Sequence, residues 1–181
     1  MAITATQIEF RLSIPGTTMG NRGPQADVNN SLGGHCSQTV ITDATLNNLF
    51  DDVSGDDNAA SDVEYRGFFV YNSNLSLPWQ SVKMWISASV TGGALACIAK
   101  DSKAVTTVGH SAASQMLEIP DEDTAPAGLT FTAPETKSAG ISLGTIALNS
   151  VHGIWVVRAA KNSAALNNDG LTVSCEGDTA A

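Results

Sequence analysis

Between residues 50 and 66 the chain reads FDDVSGDDNAASDVEYR. Six of these seventeen residues are carboxylates and one, Arg66, is basic. Carboxylates at that density can bind a metal, supply an acid/base pair, or solvate a turn. Asp52, Ser54 and Asp56 have the first, third and fifth spacing of a calcium loop. The match then fails. The sixth position needs a glycine for the sharp turn and is Asp57, with Gly55 too early; the twelfth needs a bidentate Glu and is Val63. A general acid needs a partner whose pKa is raised by burial, and a loop of small residues offers no desolvated pocket. Turn chemistry accounts best for Ser-Gly-Asp-Asp-Asn, because Asp and Asn side chains bond their own backbone. No metal requirement is expected. Glu64 and Arg66 are two apart on one strand face, placed to pair with each other or across strands.

The other reactive side chains are scattered. His35, His110 and His152 are the three histidines, and Cys36, Cys97 and Cys175 the three cysteines. His35 adjoins Cys36, yet a zinc site needs four ligands at suitable spacing. The segment GHSAAS lacks the second glycine of a nucleophile elbow, and there is no P-loop or GxGxxG. No catalytic residue, cofactor site or enzyme activity is expected. An odd, dispersed set of cysteines outside any CxxC pair fits reduced thiols. Trp79, Trp85 and Trp155 would make a sugar platform only if exposed on one face; Trp85 and Trp155 are expected in a core or an interface.

The elements that must position these residues are strands. The 181 residues suit one domain, with 43% hydrophobic residues and 15% charged against ~25% for an average domain. Net charge is −9 and no basic run exists, so neither nucleic acid nor an anionic membrane is an expected partner. MAITATQIEF lacks the basic and apolar regions of a secretory signal, so the sequon at Asn74 carries no expectation.

Residues 7–14 alternate, with Ile8, Phe10, Leu12 and Ile14 on one face. Residues 16–34 hold five glycines and no periodicity; they suggest an extended arm that orders against a partner. Residues 37–42 suggest a strand, 43–50 a helical turn capped by Asp43, and 63–72 a central strand apolar on both faces. Residues 81–90 alternate, and Gly92-Gly93 suggests a hairpin into 94–100. Weak strands follow near 104–108 and 115–119, with others at 128–134, 141–148, 152–160 and 171–177. Some ten short strands without a long amphipathic helix predict an all-β fold, an antiparallel β-sandwich of jelly-roll or Ig-like type. The expected organisation is an N-terminal strand and arm over 1–34 and a sandwich domain over 35–181.

LNNLFDDVSGDDNAASDVEYRGFFVYN resembles a segment of tailed-bacteriophage virion structural proteins. There a Phe-Asp-x-Val-Ser-Gly-Asp stretch leads through an acidic turn into Asp-x-Glu-Tyr-Arg and an apolar strand. The segment IWVVRAAKNSAALNNDGLTVSCEGDT is similar to the close of the same proteins: a Trp-x-x-Arg strand, a small-residue loop, Asn-Asp-Gly, and a strand ending Glu-Gly-Asp-Thr. NNSLGG fits as well. Together the matches span 29–72 and 152–179, about half of the chain. Some members resemble the cement (decoration) proteins of short-tailed phages, often trimeric sandwiches clamped on the shell.

The resemblance implies a virion protein made in the host bacterial cytoplasm and placed on the outer surface of the capsid. It would stabilise the shell by bridging neighbouring copies of the major capsid protein. A tail or neck component, or a carbohydrate-binding sandwich, is the alternative. The two-faced apolar strands 63–72 and 152–160 imply more apolar surface than one interior uses, and hence self-association, with a homotrimer expected.

Overall fold

The structure is a computed structural model that describes residues 2–16, 23–109, 114–166 and 169–179. Among the described residues ten strands and one short α-helix form in chain order: β1 (Ile8–Ile14), β2 (Gly33–Val40), α1 (Gly55–Ala60), β3 (Val63–Asn72), β4 (Trp79–Ser89), β5 (Leu95–Lys100), β6 (Thr106–Thr107), β7 (Met116–Glu118), β8 (Ile141–Ile146), β9 (Ser150–Ala159) and β10 (Leu171–Thr179). The large sheet runs β5-β9-β3-β1-β2-β7, with β6 also on β9; the small sheet runs β10-β4-β8. Every named pairing is antiparallel. The fold is an all-β sandwich.

Alternation places one core between the sheets. Phe68, Val70, Ile98, Ile154 and Val156 from the large sheet meet Trp79, Val82, Met84, Ile86, Leu143 and Ile146 from the small one. The opposite face of the large sheet carries a second core: Phe69, Tyr71, Ala99, Val151 and Trp155, covered by Val108, Met116 and Ile119 with Leu117, Leu129 and Phe131. Residues 101–131 thus form an outer layer. This corrects the premise for self-association. The strands apolar on both faces, β3 and β9, are covered twice by their own chain, so their composition demands no partner.

Asp101 pins that layer. It is 1% exposed, and its carboxylate accepts from Trp155 Nε1 (2.9 Å), Leu117 N (3.0 Å) and Lys103 N (2.8 Å). Met116 then fits where two adjacent strands, β3 at Gly67 and β9 at Gly153, lack side chains. A Cβ on Gly67 would lie 2.8 Å from its Cε, and one on Gly153 2.7 Å from its Cβ.

The expected arm is largely absent from what is described. Residues 17–22 lie outside the described residues, while 23–34 pack on the sheet. Ser31 is wholly buried; it donates to Gly67 O (2.7 Å) and accepts from Ser13 N (2.9 Å). Gly33 has φ +92° and its Cβ position lies 1.8 Å from Leu117 O. The glycines here permit close backbone approach rather than reach. Within 1–34, β1 lies between β2 and β3 in the large sheet.

Three further expectations are corrected. Gly92-Gly93 makes no hairpin: it carries the chain from β4 in the small sheet to β5 in the large one. Residues 128–134 form no strand; Thr132 bridges Ile98 while Pro134 O accepts from Ile86 N, so the segment ties the sheets at one flank. Residues 43–50 are turns rather than helix, since Ala44 and Asn47 take φ of 55° and 56° and interrupt it.

Candidate functional site

The helix lies one turn later, inside the acidic stretch. Ser54 caps α1 by accepting from Asp57 N (3.1 Å), and the Asp57 carboxylate accepts from Ser54 N (2.9 Å). This is a capping box with Asp in the place usually taken by Glu. The two hydrogen bonds to Ser54 hold the Asp57 carboxyl below its ordinary range. Ser61, with φ 56°, ends the helix, and Ala160 N donates to Asp62 O as β3 begins. Asn58 exchanges hydrogen bonds with the backbone of Ser163 (2.8 and 3.2 Å), tying α1 to the loop before β10.

Beside α1 the acidic stretch and two arginines close on one another. Glu64 lies opposite Arg158 in the β3–β9 register. Arg158 Nε donates to Glu64 Oε2 (2.7 Å), Nη2 pairs with the same oxygen, and Nη1 donates to Asp51 O. Nη2 also reaches Asp51 Oδ1 (3.3 Å). Arg66, wholly buried, pairs with Glu122 and donates to Asn29 Oδ1 (2.9 Å) and Tyr65 O (3.2 Å). Asn29 Nδ2 donates in turn to Asp51 Oδ2 (2.9 Å). Both guanidinium groups lie over the Phe50 ring, at 5.4 Å for Arg66 and 4.7 Å for Arg158.

The clasp therefore joins the 50–51 turn, β3, β9, the 29 turn and the 122 loop. Burial pushes the Glu64 carboxyl above its ordinary value, against the pull of Arg158 and Arg66. Apart from Arg66 Nε, which is buried without a hydrogen-bond partner, the guanidinium nitrogens of the clasp are taken up by its own oxygens, which suits bracing. Glu64 and Arg66 pair across elements rather than with each other. Sequence reasoning missed Asn29 and Glu122. Asn29 opens the NNSLGG of the resemblance, which gives it no role, and Glu122 lies in an aperiodic acidic run.

The remaining expected residues stay apart. Among the described residues no group of three or more His, Cys, Asp or Glu is placed to hold a metal. Asp52 and Asp56 are exposed, and Ser54 is committed to its cap. His35 is 3% exposed on β2; His110 lies outside the described residues. His152 is 5% exposed, and its Nδ1 has no hydrogen-bond partner. Burial, aided by Lys100 and opposed by Asp101, lowers its pKa to about 4.

Cys36, Cys97 and Cys175 are thiols; burial raises the pKa of Cys97 and pushes that of Cys175 up to about 12. Such thiols are poor nucleophiles. Trp79 and Trp155 are buried, while Trp85 is partly exposed on the outside of the small sheet. Two shallow clefts flank the 128–136 segment. One, of about 450 Å³, is lined by Lys100, Asp101, Leu129 and Ser142; the other, of about 410 Å³, by Ile86, Leu95, Glu135 and Lys161.

Comparison with protein-family models, curated proteins and solved structures finds no match to this chain.

Proposed function

We propose that this chain is a structural component of a tailed-phage virion, a decoration protein on the outer surface of the shell that bridges neighbouring copies of the major capsid protein. One observation carries the proposal. The residues of the phage-like blocks, Phe50, Asp51, Glu64, Arg66 and Arg158, include pairs as far apart as the 107 positions from Asp51 to Arg158, yet meet in one clasp. A block pattern that encodes a brace between strands suits a part whose task is to hold shape while bound. The acidic charge and the absence of a basic run agree with binding protein rather than nucleic acid.

The three-fold association that the resemblance implies has lost its independent argument, since the second apolar face is covered from within. The carbohydrate reading also loses ground: with Trp79 and Trp155 buried, no three-tryptophan platform exists.

A decoration protein binds the assembled state in preference to free subunits, which stabilises that state by mass action. The test mixes the intact chain with undecorated capsids and, separately, with unassembled shell subunits. Saturable co-sedimentation with shells, no binding to subunits, and shells that resist heating better are the expected results. Failure to bind shells would remove the proposal and favour a tail or neck location.

A further inference from the structure

Most strand edges in this molecule are blunted. Thr132 bridges the edge of β5 at Ile98. On β2, Gln38 N donates to Gly23 O and Thr39 Oγ1 accepts from Gln25 N (2.8 Å). The β7 edge is three residues long, and β8 is bent at Gly144, φ +74°. Among the described residues the free edge of β10 has no such device. It runs nine residues, LTVSCEGDT, without proline or lysine, and pairs on one side only, with β4.

Its open backbone groups can be assigned. Ile86 N donates to Pro134 O, away from β10, and Val90 N donates to Gly170 O, toward it. Ile86 lies opposite Val173. The ladder shifts register between Thr172 and Val173 and between Glu176 and Asp178, with the extra residue on β4 each time, so β10 keeps its alternation and points the N–H and C=O of Leu171, Val173, Cys175, Gly177 and Thr179 at the free edge. Among the described residues no hydrogen bond occupies any of them. A long, open edge of this kind is a template for another strand.

We propose that the occupant is a second copy of β10, paired antiparallel across a two-fold axis at Cys175, so that two three-stranded sheets become one of six. Only this register pairs all nine residues. It sets open groups against open groups: Leu171 with Thr179 of the other copy, Val173 with Gly177, Cys175 with itself. On the outer face it sets Glu176 against Ser174 and Asp178 against Thr172, so no carboxylate faces another. Lys137 already pairs with Glu176, which reduces repulsion across the axis. An isologous contact of this sort closes at two. The proposal is independent of whether the chain binds a shell.

The experiment is sedimentation velocity on the full chain over a range of concentrations. Wild type is expected to show a monomer–dimer equilibrium. Val173→Pro removes an N–H aimed at the free edge and leaves the β4 ladder whole; it should be monomeric with wild-type circular dichroism. Because Val173 also touches the core, a second pair of variants avoids the core. Ser174→Glu places carboxylates opposite one another and Ser174→Lys places opposite charges together. Each change counts twice across the axis, so dimer affinity should shift about tenfold, down and up respectively. Wild type that stays monomeric throughout, a trimer, or Ser174→Glu and Ser174→Lys shifting affinity in the same direction would overturn the proposal.

Discussion

Arg158 is the residue on which the clasp turns, because it alone touches Glu64, Asp51 and Phe50 together. Its side chain is 14% exposed and that of Glu64 10%, so solvent cannot replace a lost partner. Arg158→Met should destabilise the fold by about 3 kcal/mol in urea titration, chiefly through the carboxylate it abandons. Arg158→Met with Glu64→Leu should recover much of that loss, because replacing both members leaves no buried charge. Equal destabilisation by the single and double variants would contradict this account.

His152 gives a second measurable consequence at the same scale. Its folded value of about 4 lies below the ordinary 6.5, so the unfolded chain binds its proton first as pH falls. The contribution is therefore whole above pH 6.5 and is lost as pH falls toward 4, amounting to about 3 kcal/mol. Unfolding free energy measured from pH 7 to 4.5 should fall accordingly, and His152→Leu should flatten that slope. An unchanged slope in the variant would assign the acid sensitivity elsewhere.

At the scale of elements, α1 shows what the acidic stretch is for. Ser54 and Asp57 satisfy each other's backbone, and Asp56 and Asp57 lie in the first turn, where negative charge is favoured. Chelation with EDTA should therefore leave the melting temperature unchanged. A drop of many degrees, restored by calcium, would instead make Asp52, Ser54 and Asp56 ligands. The capping box was present in the sequence, but with Asp at its fourth position it resembled a turn, and Asp43 offered a rival cap. The strands at 7–14, 63–72 and 81–90 were legible because period-two patterning or β-branched, aromatic content marks them without long-range information. Partners were not legible. Residues 63–72 and 152–160 declare two buried faces, yet nothing local says that the cover comes from 101–131, whose apolar residues and backbone bonds meet the sheet only in the fold. The clasp was half legible: Glu64, Arg66 and the acidic turn stood out, while Asn29 and Glu122 entered only through the fold.

At the scale of the molecule, the placement of β9 governs how the chain can come to be folded at all. It is made ninth of ten strands, yet it sits between β5 and β3 and pairs with β3 over ten residues, Val63 with Ala159 through Asn72 with Ser150. Both cores draw on it, through Ile154 and Val156 on one side and Val151 and Trp155 on the other. A chain that ends at Asn149 should therefore have no cooperative unfolding transition and should bind hydrophobic dye, whereas a sharp melt of that fragment would mean that β9 is dispensable. The same placement sets a schedule during synthesis. β3 and β5 leave the ribosome with their shared partner still untranslated, and at ~5–20 residues per second that wait lasts several seconds. The edges that β9 will fill stay unpaired throughout, with pairings of high sequence separation that close slowly. Yield in a cell should thus be limited by what shelters the growing chain, more than by the stability of the finished one.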